Sequence, residues 1–473
     1  MTTHKGLIFG CMLRISFFII ALVHLFLMAC HHPSSKNTSV FFGGEIINPL
    51  SNQVILYQGE FPVDTLTLNN QNMFASRYDT INSGIYQLDL LVDAQDIILE
   101  PGDSLWIRVN TQGIRESVYF SGLGAAKNNF ISDMILKVDQ EANQTDYSMT
   151  GMQFTHHIDS LLAIKKEEWM EMNNLNQLSP FAQKVTQAAY IYSYSNRRER
   201  YALLRGTKFS ENDSLFYDYR KYLLYGDTDL TFFHPYISYL LDYISELALS
   251  EDILFSQTLF STPFSMKRLD VLESHIFDEN LKNYLARIIA FEELMRNPES
   301  ESHQSFLDKF KQVNSSKFYL DEVLGLVEDL DFMSSGQNLP EVLLQDVNDN
   351  IISSESLFKG QPTVIYFWTQ TSVSFFNTQL ERLQELQSEF PNYRFVGISI
   401  EPFNDLMHQM LENIDVSIED HFAFVDFKKA SRDWVIRIWN KSILVDANGK
   451  IIEGFGNFVG SDFKKILSEN QRN

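Results

Sequence analysis

The sequence predicts a multidomain α+β protein with an N-terminal antiparallel β domain, a central α-helical domain and a C-terminal α/β domain. Three changes of pattern support this fold class. Short alternating runs separated by Gly, Asn, Pro and Asp occupy residues 39–122. Residues 123–335 then carry apolar side chains at three- and four-residue spacing. From residue 338 to residue 473, strand-like and helix-like segments alternate.

Residues 1–29 predict a signal peptide. Two cations precede an apolar run from Phe17 to Ala29, which is short for a transmembrane helix and suits a secretory signal. The run ends in "LMAC", which resembles the bacterial lipobox and implies cleavage before Cys30 and lipid attachment to that cysteine. Residues 30–38 would then be a lipidated tether to the membrane. An ordinary secretory signal and a short membrane anchor are the alternatives.

The net charge and the positions of the cysteines exclude several classes of function for this protein. The 473-residue chain has a formal net charge of −23, which argues against a nucleic-acid partner because such partners need a basic surface. Its two cysteines are Cys11 and Cys30, so residues 31–473 contain none. This excludes disulfides, thiolate metal sites and cysteine nucleophiles from everything after the lipobox. We expect no cofactor and no metal.

The N-terminal domain, residues 39–122, is expected to be β-sandwich-like. Runs such as "NQVILYQG" and "GIYQLDLLV" have the length of strands and are bounded by turn residues. The segment "EPGDS" contains the proline and glycine of a tight turn. Asp103 and Ser104 are therefore better explained by turn chemistry than by nucleophilic catalysis.

The central domain, residues 123–335, is expected to be helical. Ser179 and Pro180 are the N-cap and first-turn proline that are typical of a helix start. The many Tyr and Phe side chains at helical spacing are expected to form core rather than a ligand site. The cluster "NRRER" at residues 196–200 is expected to be an exposed helix face.

The C-terminal domain, residues 338–473, has the order of a compact three-layer α/β unit. "EVLLQDVNDNIISSES" predicts a hairpin, "PTVIYFW" a buried strand and "TQLERLQELQSEF" a helix. "YRFVGISI" predicts a second buried strand, and "KSILVDANGKIIEGFG" predicts a final hairpin before a last helix.

Sequence segments of this domain resemble those of thioredoxin-like proteins, specifically the TlpA/ResA type of membrane-tethered thiol–disulfide oxidoreductase. "LFKGQPTVIYFWTQT" is similar to that family's strand before the redox loop, and "SILVDANGKII" is similar to its final hairpin. The upstream segments "GDSLWIRV" and "FSGLGAAKNNF" resemble the region that precedes thioredoxin domains in many Bacteroidetes lipoproteins. The resemblance and the lipobox together imply the cell envelope, with the periplasmic face of the outer membrane favoured.

The residues on which that family's chemistry depends are missing. The resemblance places the two redox cysteines at Ser372 and Phe375 and the cis-proline at Asn440. A serine hydroxyl needs a base to act as a nucleophile, and a phenyl ring has no redox chemistry. A cis bond before a residue other than proline costs about 2.5–4 kcal/mol, so we expect a trans bond before Asn440. No catalytic residue is expected.

The sequence therefore predicts a redox-inactive, thioredoxin-like envelope lipoprotein that binds a protein or peptide partner, or another ligand. The resemblance implies a groove that holds extended peptides by backbone pairing, with Trp368, Thr371 and Phe376 as candidate lining. An alternative is that Phe375 and Phe376 fill the space left by the disulfide. Retained oxidoreductase or peroxidase activity, and a scaffold role of the helical domain in an envelope complex, are the competing functions.

Overall fold

The computed structural model describes residues 38–91, 93–142, 144–205, 211–249, 261–298, 303–358, 360–369, 373–412, 417–437 and 440–471. The predicted signal peptide and the predicted lipidation site, Cys30, lie outside these ranges. The expected fold class is confirmed, since a β region is followed by helices and then by a mixed α/β domain. No helix in the described ranges is long and apolar enough to cross a membrane.

The β region consists of two sheets with a shared apolar core. Its strands are β1 (Val40–Ile47), β2 (Gln53–Gln58), β3 (Phe61–Thr67), β4 (Met73–Tyr78), β5 (Gly84–Asp89), β6 (Ala94–Leu99), β7 (Ser104–Asn110) and β8 (Tyr119–Leu123). The first sheet has the order β4-β1-β7-β8 and the second β3-β2-β5-β6. Because alternate residues of a strand face the same side, Phe42 and Ile107 of the first sheet meet Leu56 of the second in one core.

One strand pairing of this region departs from the antiparallel expectation. Strands β1 and β7 run parallel, with Phe41 opposite Ser104, whereas the other described pairs of the two sheets are antiparallel. The expected turn precedes β7. The amide of Asp103 donates to the carbonyl of Glu100 at 3.0 Å, and Gly102 takes a φ of 96°. Asp103 therefore has a turn role, as the sequence predicts.

The central region is helical. A short helix, α1 (Ile114–Ser117), lies between β7 and β8 of the β region. The helices of the central region are α2 (Ala125–Ala142), α3 (Gly151–Asn176), α4 (Pro180–Arg205), α5 (His234–Ala248), α6 (Thr262–His275), α7 (Glu279–Arg296), α8 (His303–Val313) and α9 (Lys317–Phe332), with 3-10 turns at Glu211–Tyr222 and Thr228–Leu230. Buried tyrosines of α4 and α5 pack against one another, as with Tyr192 and Tyr236 at 4.8 Å between ring centroids. The buried aromatic residues form core, as expected, whereas a few others, such as Phe277, are exposed.

The helical core extends onto the second sheet of the β region. Ile85 and Ile98 point away from the core shared by the two sheets and belong instead to the apolar cluster of the helices. The outer face of the second sheet is therefore covered by helices rather than by solvent.

The cluster "NRRER" is not an exposed face, so that prediction is wrong for most of it. Arg197, Arg198 and Glu199 are all buried. Long-range partners make this possible. Arg198 pairs with Asp159, and Glu199 accepts a hydrogen bond from Arg220. Buried charges are retained where such partners compensate them.

The C-terminal domain is built on one mixed sheet. The strands of this sheet are β9 (Leu343–Asp346), β10 (Ile351–Ser353), β11 (Thr363–Trp368), β12 (Arg394–Ser399), β13 (His421–Phe424), β14 (Lys441–Val445) and β15 (Ile451–Asn457). The helices of the domain are α10 (Val373–Glu389), α11 (Asp405–Glu412), α12 (Phe427–Asp433) and α13 (Phe463–Asn470), with 3-10 turns at Ser354–Leu357 and Ile418–Asp420. The strand order is β10-β9-β13-β12-β11-β14-β15.

Strand β11 lies inside this sheet. It runs parallel to β12 and antiparallel to β14. Tyr366 and Trp368 face one side, where α10 and α13 cover them. Ile365 and Phe367 face the other side and join the core of the helical region. Both faces of the strand are covered, which explains its continuous apolar sequence.

Candidate functional site

The candidate site is the connection from β11 to α10. Trp368 ends the strand, Thr369 follows it, and α10 begins at Val373. Two of the predicted site residues, Thr371 and Ser372, lie outside the described ranges, so their predicted roles remain predictions. Phe375, the position of the second cysteine by resemblance, lies in the first turn of α10 and is half-buried.

Two predicted lining residues are core residues instead. Trp368 is 1% exposed and Phe376 is 4% exposed, and their ring centroids are 5.0 Å apart. Both belong to the apolar cluster beneath α10. The rings fill the space between β11 and the helix, so neither is available as an accessible groove wall. Aromatic burial of this kind contributes to stability rather than to recognition.

A buried carboxylate lies at the same end of the sheet. The carboxylate of Glu401, which follows β12, accepts hydrogen bonds from the hydroxyl of Thr369 and from that of Ser399, the latter at 3.2 Å. Glu401 has no exposed surface. Sequence reasoning did not select it. The available signal was an acid directly after the apolar strand "RFVGISI", at the edge where parallel strands end together.

Several other buried polar atoms on this face have no hydrogen-bond partner among the described residues. They are the indole nitrogen of Trp368, both side-chain polar atoms of Gln379 and the hydroxyl of Ser442. Gln379 lies on α10, and Ser442 lies opposite Tyr366 in the neighbouring strand. Unpaired buried polar groups are rare in folded proteins, so the interior beneath α10 is more polar than its aromatic content suggests.

Asn440, the cis-proline position by resemblance, lies on the other side of β11. It is half-buried, and its carbonyl accepts a hydrogen bond from the amide of Phe458 at 2.8 Å. The peptide bond before it comes from a residue outside the described ranges, so the expected trans bond remains a prediction. The next residue, Lys441, is buried, and its amine donates to the carbonyls of Trp434 and Val435 at 2.6 and 3.2 Å.

A tyrosine–histidine pair supports the sheet below the site. The hydroxyl of Tyr366 and Nε2 of His421 are 3.1 Å apart, and Nδ1 of His421 lies 2.9 Å from the carbonyl of Ser417. Burial lowers the pKa of His421 below its ordinary value, against smaller opposing effects of the Ser417 carbonyl and Asp420. The imidazole is therefore neutral in the folded protein at neutral pH.

Replacing His421 with asparagine is expected to cost about 1–3 kcal/mol at pH 7.5, because Tyr366 loses a buried partner. The cost should shrink as pH falls below about 6.5. The lowered folded pKa means that the unfolded wild-type chain takes up a proton before the folded one, so acid destabilises the wild type at this residue. Urea denaturation of both proteins between pH 5 and 8 measures this, and a cost that is constant across that range would contradict it.

No group of three His, Cys, Asp or Glu side chains suitable for a metal ion occurs among the residues that the structure describes. The described part of the site therefore offers hydroxyls, one carboxylate, amides and aromatic rings. Such groups can bind polar backbone atoms or carboxamides, but none of them is a thiol.

The strand order and the strand-to-helix connection define a thioredoxin-like domain, and comparison with known proteins agrees. Residues 335–464 match the AhpC/TSA family. The C-terminal region therefore carries a thioredoxin-like domain of AhpC/TSA type. No curated protein matches the chain.

Two of the solved structures to which the chain is similar come from Bacteroides. A putative thiol-disulfide oxidoreductase from Bacteroides vulgatus is 15% identical, with a TM-score of 0.26, and the match covers 29% of this chain and 97% of that chain. A thioredoxin-like protein from Bacteroides caccae is 10% identical, with a TM-score of 0.33, covering 58% of this chain and 94% of that chain. At these identities and TM-scores the structures give no information about activity.

Proposed function

We propose that this protein is a redox-inactive, thioredoxin-like lipoprotein of the cell envelope that binds a protein or peptide partner. One observation carries the proposal. A domain of a thiol-using family is present, yet residues 31–473 contain no cysteine. Thiol–disulfide exchange proceeds through a thiolate and a mixed disulfide, and no other side chain replaces the sulfur.

The proposed location is supported by the N-terminal sequence. A signal-peptide pattern ends in "LMAC" at Cys30, where a lipid would attach. A lipid chain would hold the domains at a membrane surface without a transmembrane helix. The periplasmic face of the outer membrane is the side that we propose.

Partner binding is supported by an apolar patch at one edge of the C-terminal sheet. Strand β10 is the outermost strand in the described sheet order. Ile351 on β10, Leu343 on β9 and Val425 beyond β13 are 64%, 52% and 46% exposed. The pairing of Ile351 with Gln345, and the hydrogen bond from Val425 to Leu343, place the three side chains on one face. An exposed strand edge beside an apolar patch suits an extended peptide.

A photo-crosslinking residue introduced at Ile351 tests the partner proposal in intact cells. It is expected to give a discrete adduct, because the side chain lies at the proposed contact. The matched control is the same residue at Leu175, which is 77% exposed at the end of α3, far along the chain from this edge. The absence of an adduct at 351, or the same adduct at 175, would count against a partner at this sheet edge.

A further inference from the structure

The outer face of the first sheet carries large apolar side chains at exposed positions. Alternation along the strands directs Phe42 and Phe120 into the core that the two sheets share. Phe41, Tyr119 and Leu123 therefore point to the opposite side, where they are 38%, 63% and 67% exposed. Helices cover the outer face of the second sheet, whereas these three side chains lie open to solvent.

The apolar side chains of this face are joined across the sheet. Phe41 lies opposite Ser104, and Ser104 lies opposite Leu123, so one row of the sheet runs from Phe41 to Leu123. In the next row Gly43 lies opposite Trp106. A Cβ atom at Gly43 would come within 2.9 Å of two carbon atoms of the indole ring. The half-buried ring of Trp106 therefore lies across Gly43 and forms the middle of the same face.

The charged side chains of this face compensate one another. Arg108, opposite Tyr119, donates to the carboxylate of Glu45 at 3.0 Å. Arg77 lies 3.5 Å from Asp79. The two pairs add no net charge to the face, and the whole chain has a formal charge of −23. A strongly anionic surface would repel such a chain, so this face suits a surface that is zwitterionic or uncharged.

The predicted lipid anchor is joined to this face by a short segment. Cys30 precedes Val40, the first residue of β1, by ten positions. A segment of that length spans at most about 35 Å. It enters β1 at the end of the sheet where the row from Phe41 to Leu123 lies. A lipid at Cys30 would hold this row close to a bilayer, and such tethering raises the occupancy of a weak contact without any new interaction.

We propose that the outer face of the first sheet docks on the surface of the membrane that holds the lipid anchor. The proposal rests on the lipoprotein character proposed above. Phe41 and Leu123, beside the tether, enter the boundary between headgroups and acyl chains. Trp106 and Tyr119 lie at the level of the headgroups, which suits rings that have an apolar body and a polar group.

Vesicles test this docking with residues 31–473, to which a hexahistidine tag is joined in place of residues 1–30. The tag attaches the chain to vesicles of phosphatidylethanolamine and phosphatidylcholine that contain a nickel-chelating lipid. Because residues 31–473 contain no cysteine, L123C accepts a single environment-sensitive dye. Its emission is expected to move to shorter wavelength on attachment, and spin-labelled lipid is expected to quench it. The matched control I351C places the dye on β10 of the C-terminal domain, where the side chain is 64% exposed, and should show neither change.

Two double variants with the dye at residue 123 separate this face from other apolar surface. F41S/Y119S is expected to lose the wavelength shift, whereas L343S/I351S, which removes two exposed apolar side chains elsewhere, is expected to keep it. No shift at residue 123 in the otherwise unchanged chain, or an equal shift at residue 351, would overturn the proposal. A shift that appears without vesicles as the protein concentration rises would assign the face to a second copy of the chain and would also overturn it.

Salt and the anchor are tested separately. Because the arginines of this face are paired and apolar contacts are not screened, the shift is expected to persist in about 1 M sodium chloride, and its loss there would contradict apolar docking. The tag supplies the attachment, so these results do not depend on a lipid at Cys30. Absence of that lipid from the mature protein, measured by mass spectrometry, would contradict the proposed lipoprotein and not the docking face.

Discussion

Replacing Arg220 with alanine is expected to lower the free energy of unfolding by about 3–5 kcal/mol. The guanidinium of Arg220 donates to Glu199 at 2.9 Å and to Glu246 at 2.7 Å. Both carboxylates are buried in the helical region. Among the residues that the structure describes, Arg220 is the cation that pairs with both carboxylates, so its removal leaves two buried negative charges there without this partner. Urea denaturation followed by circular dichroism measures the loss.

The aromatic residues around Arg220 give the prediction a pH dependence. The hydroxyl of Tyr219 donates to Glu199 at 2.7 Å, and the guanidinium lies 4.0 Å from the ring centre of Tyr217. Burial raises the pKa of Glu199, although Arg220 and Tyr219 lower it in part. Without the arginine, the pKa of Glu199 in the folded protein should rise further. A carboxyl whose pKa is higher in the folded than in the unfolded protein destabilises the fold as pH rises and it becomes ionised. R220A should therefore lose less free energy of unfolding at pH 5 than at pH 8.

Two controls keep this prediction specific. The triple variant E199Q/R220M/E246Q removes all three charges and is expected to recover most of the stability that R220A loses. R77A removes an exposed arginine that lies 3.5 Å from Asp79, and it should cost less than about 0.5 kcal/mol. An R220A loss below about 1 kcal/mol, or one that does not change with pH, would contradict the proposed charge compensation.

Replacing Lys441 with methionine is expected to cost about 2–4 kcal/mol. Its amine donates to the carbonyls of Trp434 and Val435, which follow α12. The amine also lies 4.1 Å from the ring centre of Phe455. Methionine keeps the apolar stem but leaves both carbonyls without this donor. Denaturation by urea at pH 7.5 measures the difference.

The backbone beside Lys441 explains why the effect should be large. Val435 has a φ of 49°, in the left-handed region, which costs a residue other than glycine about 1–2 kcal/mol. Burial lowers the pKa of Lys441 well below its ordinary value, and Glu453 opposes this weakly. A neutral amine still donates two hydrogen bonds, so the contact survives loss of the proton.

The control for Lys441 is K465M on α13, where the lysine is exposed at the protein surface and about 0.5 kcal/mol or less is expected. If K441M and K465M cost the same, the carbonyl contacts do not stabilise the end of α12. Because Lys441 follows Asn440, which the family resemblance places at the cis-proline position, K441M is also expected to disturb the site more than K465M does.

The C-terminal architecture could be predicted because its signals are local. The run "PTVIYFW" has the continuous apolar character of a strand covered on both faces, and β11 occupies Thr363–Trp368. The hairpin in "EVLLQDVNDNIISSES" follows from its Asp and Asn turn, and β9 and β10 pair antiparallel there. Neither inference needed contacts between distant parts of the chain.

The features that the sequence does not predict correctly depend on contacts between residues that are distant along the chain. The parallel pairing of β1 with β7 joins residues about 60 positions apart, which alternation within a strand does not reveal. The burial of Arg198 and Glu199 depends on Asp159 and Arg220 in other elements. The resemblance places Trp368 in a groove, but strand alternation directs its ring beneath α10.

Asp96 shows a signal that was present and was not used. In "DAQDIILE" the acid shares a face with Ile98, two positions later, so alternation places a carboxylate on a covered apolar face. Asp96 is half-buried there. The cavity that it lines, between the second sheet and the helices that cover it, could not be predicted, since its walls come from elements separated by more than a hundred residues.

We propose that the thioredoxin-like domain has no thiol chemistry, because residues 31–473 contain no cysteine. Insulin reduction by dithiothreitol tests this with the chain that lacks residues 1–30. The comparison is the variant S372C/F375C, which introduces two cysteines at the spacing that the family resemblance gives. The wild-type chain is expected to precipitate insulin at the rate of the buffer alone and to titrate no thiol groups. A wild-type rate reproducibly above the buffer rate would contradict redox inactivity.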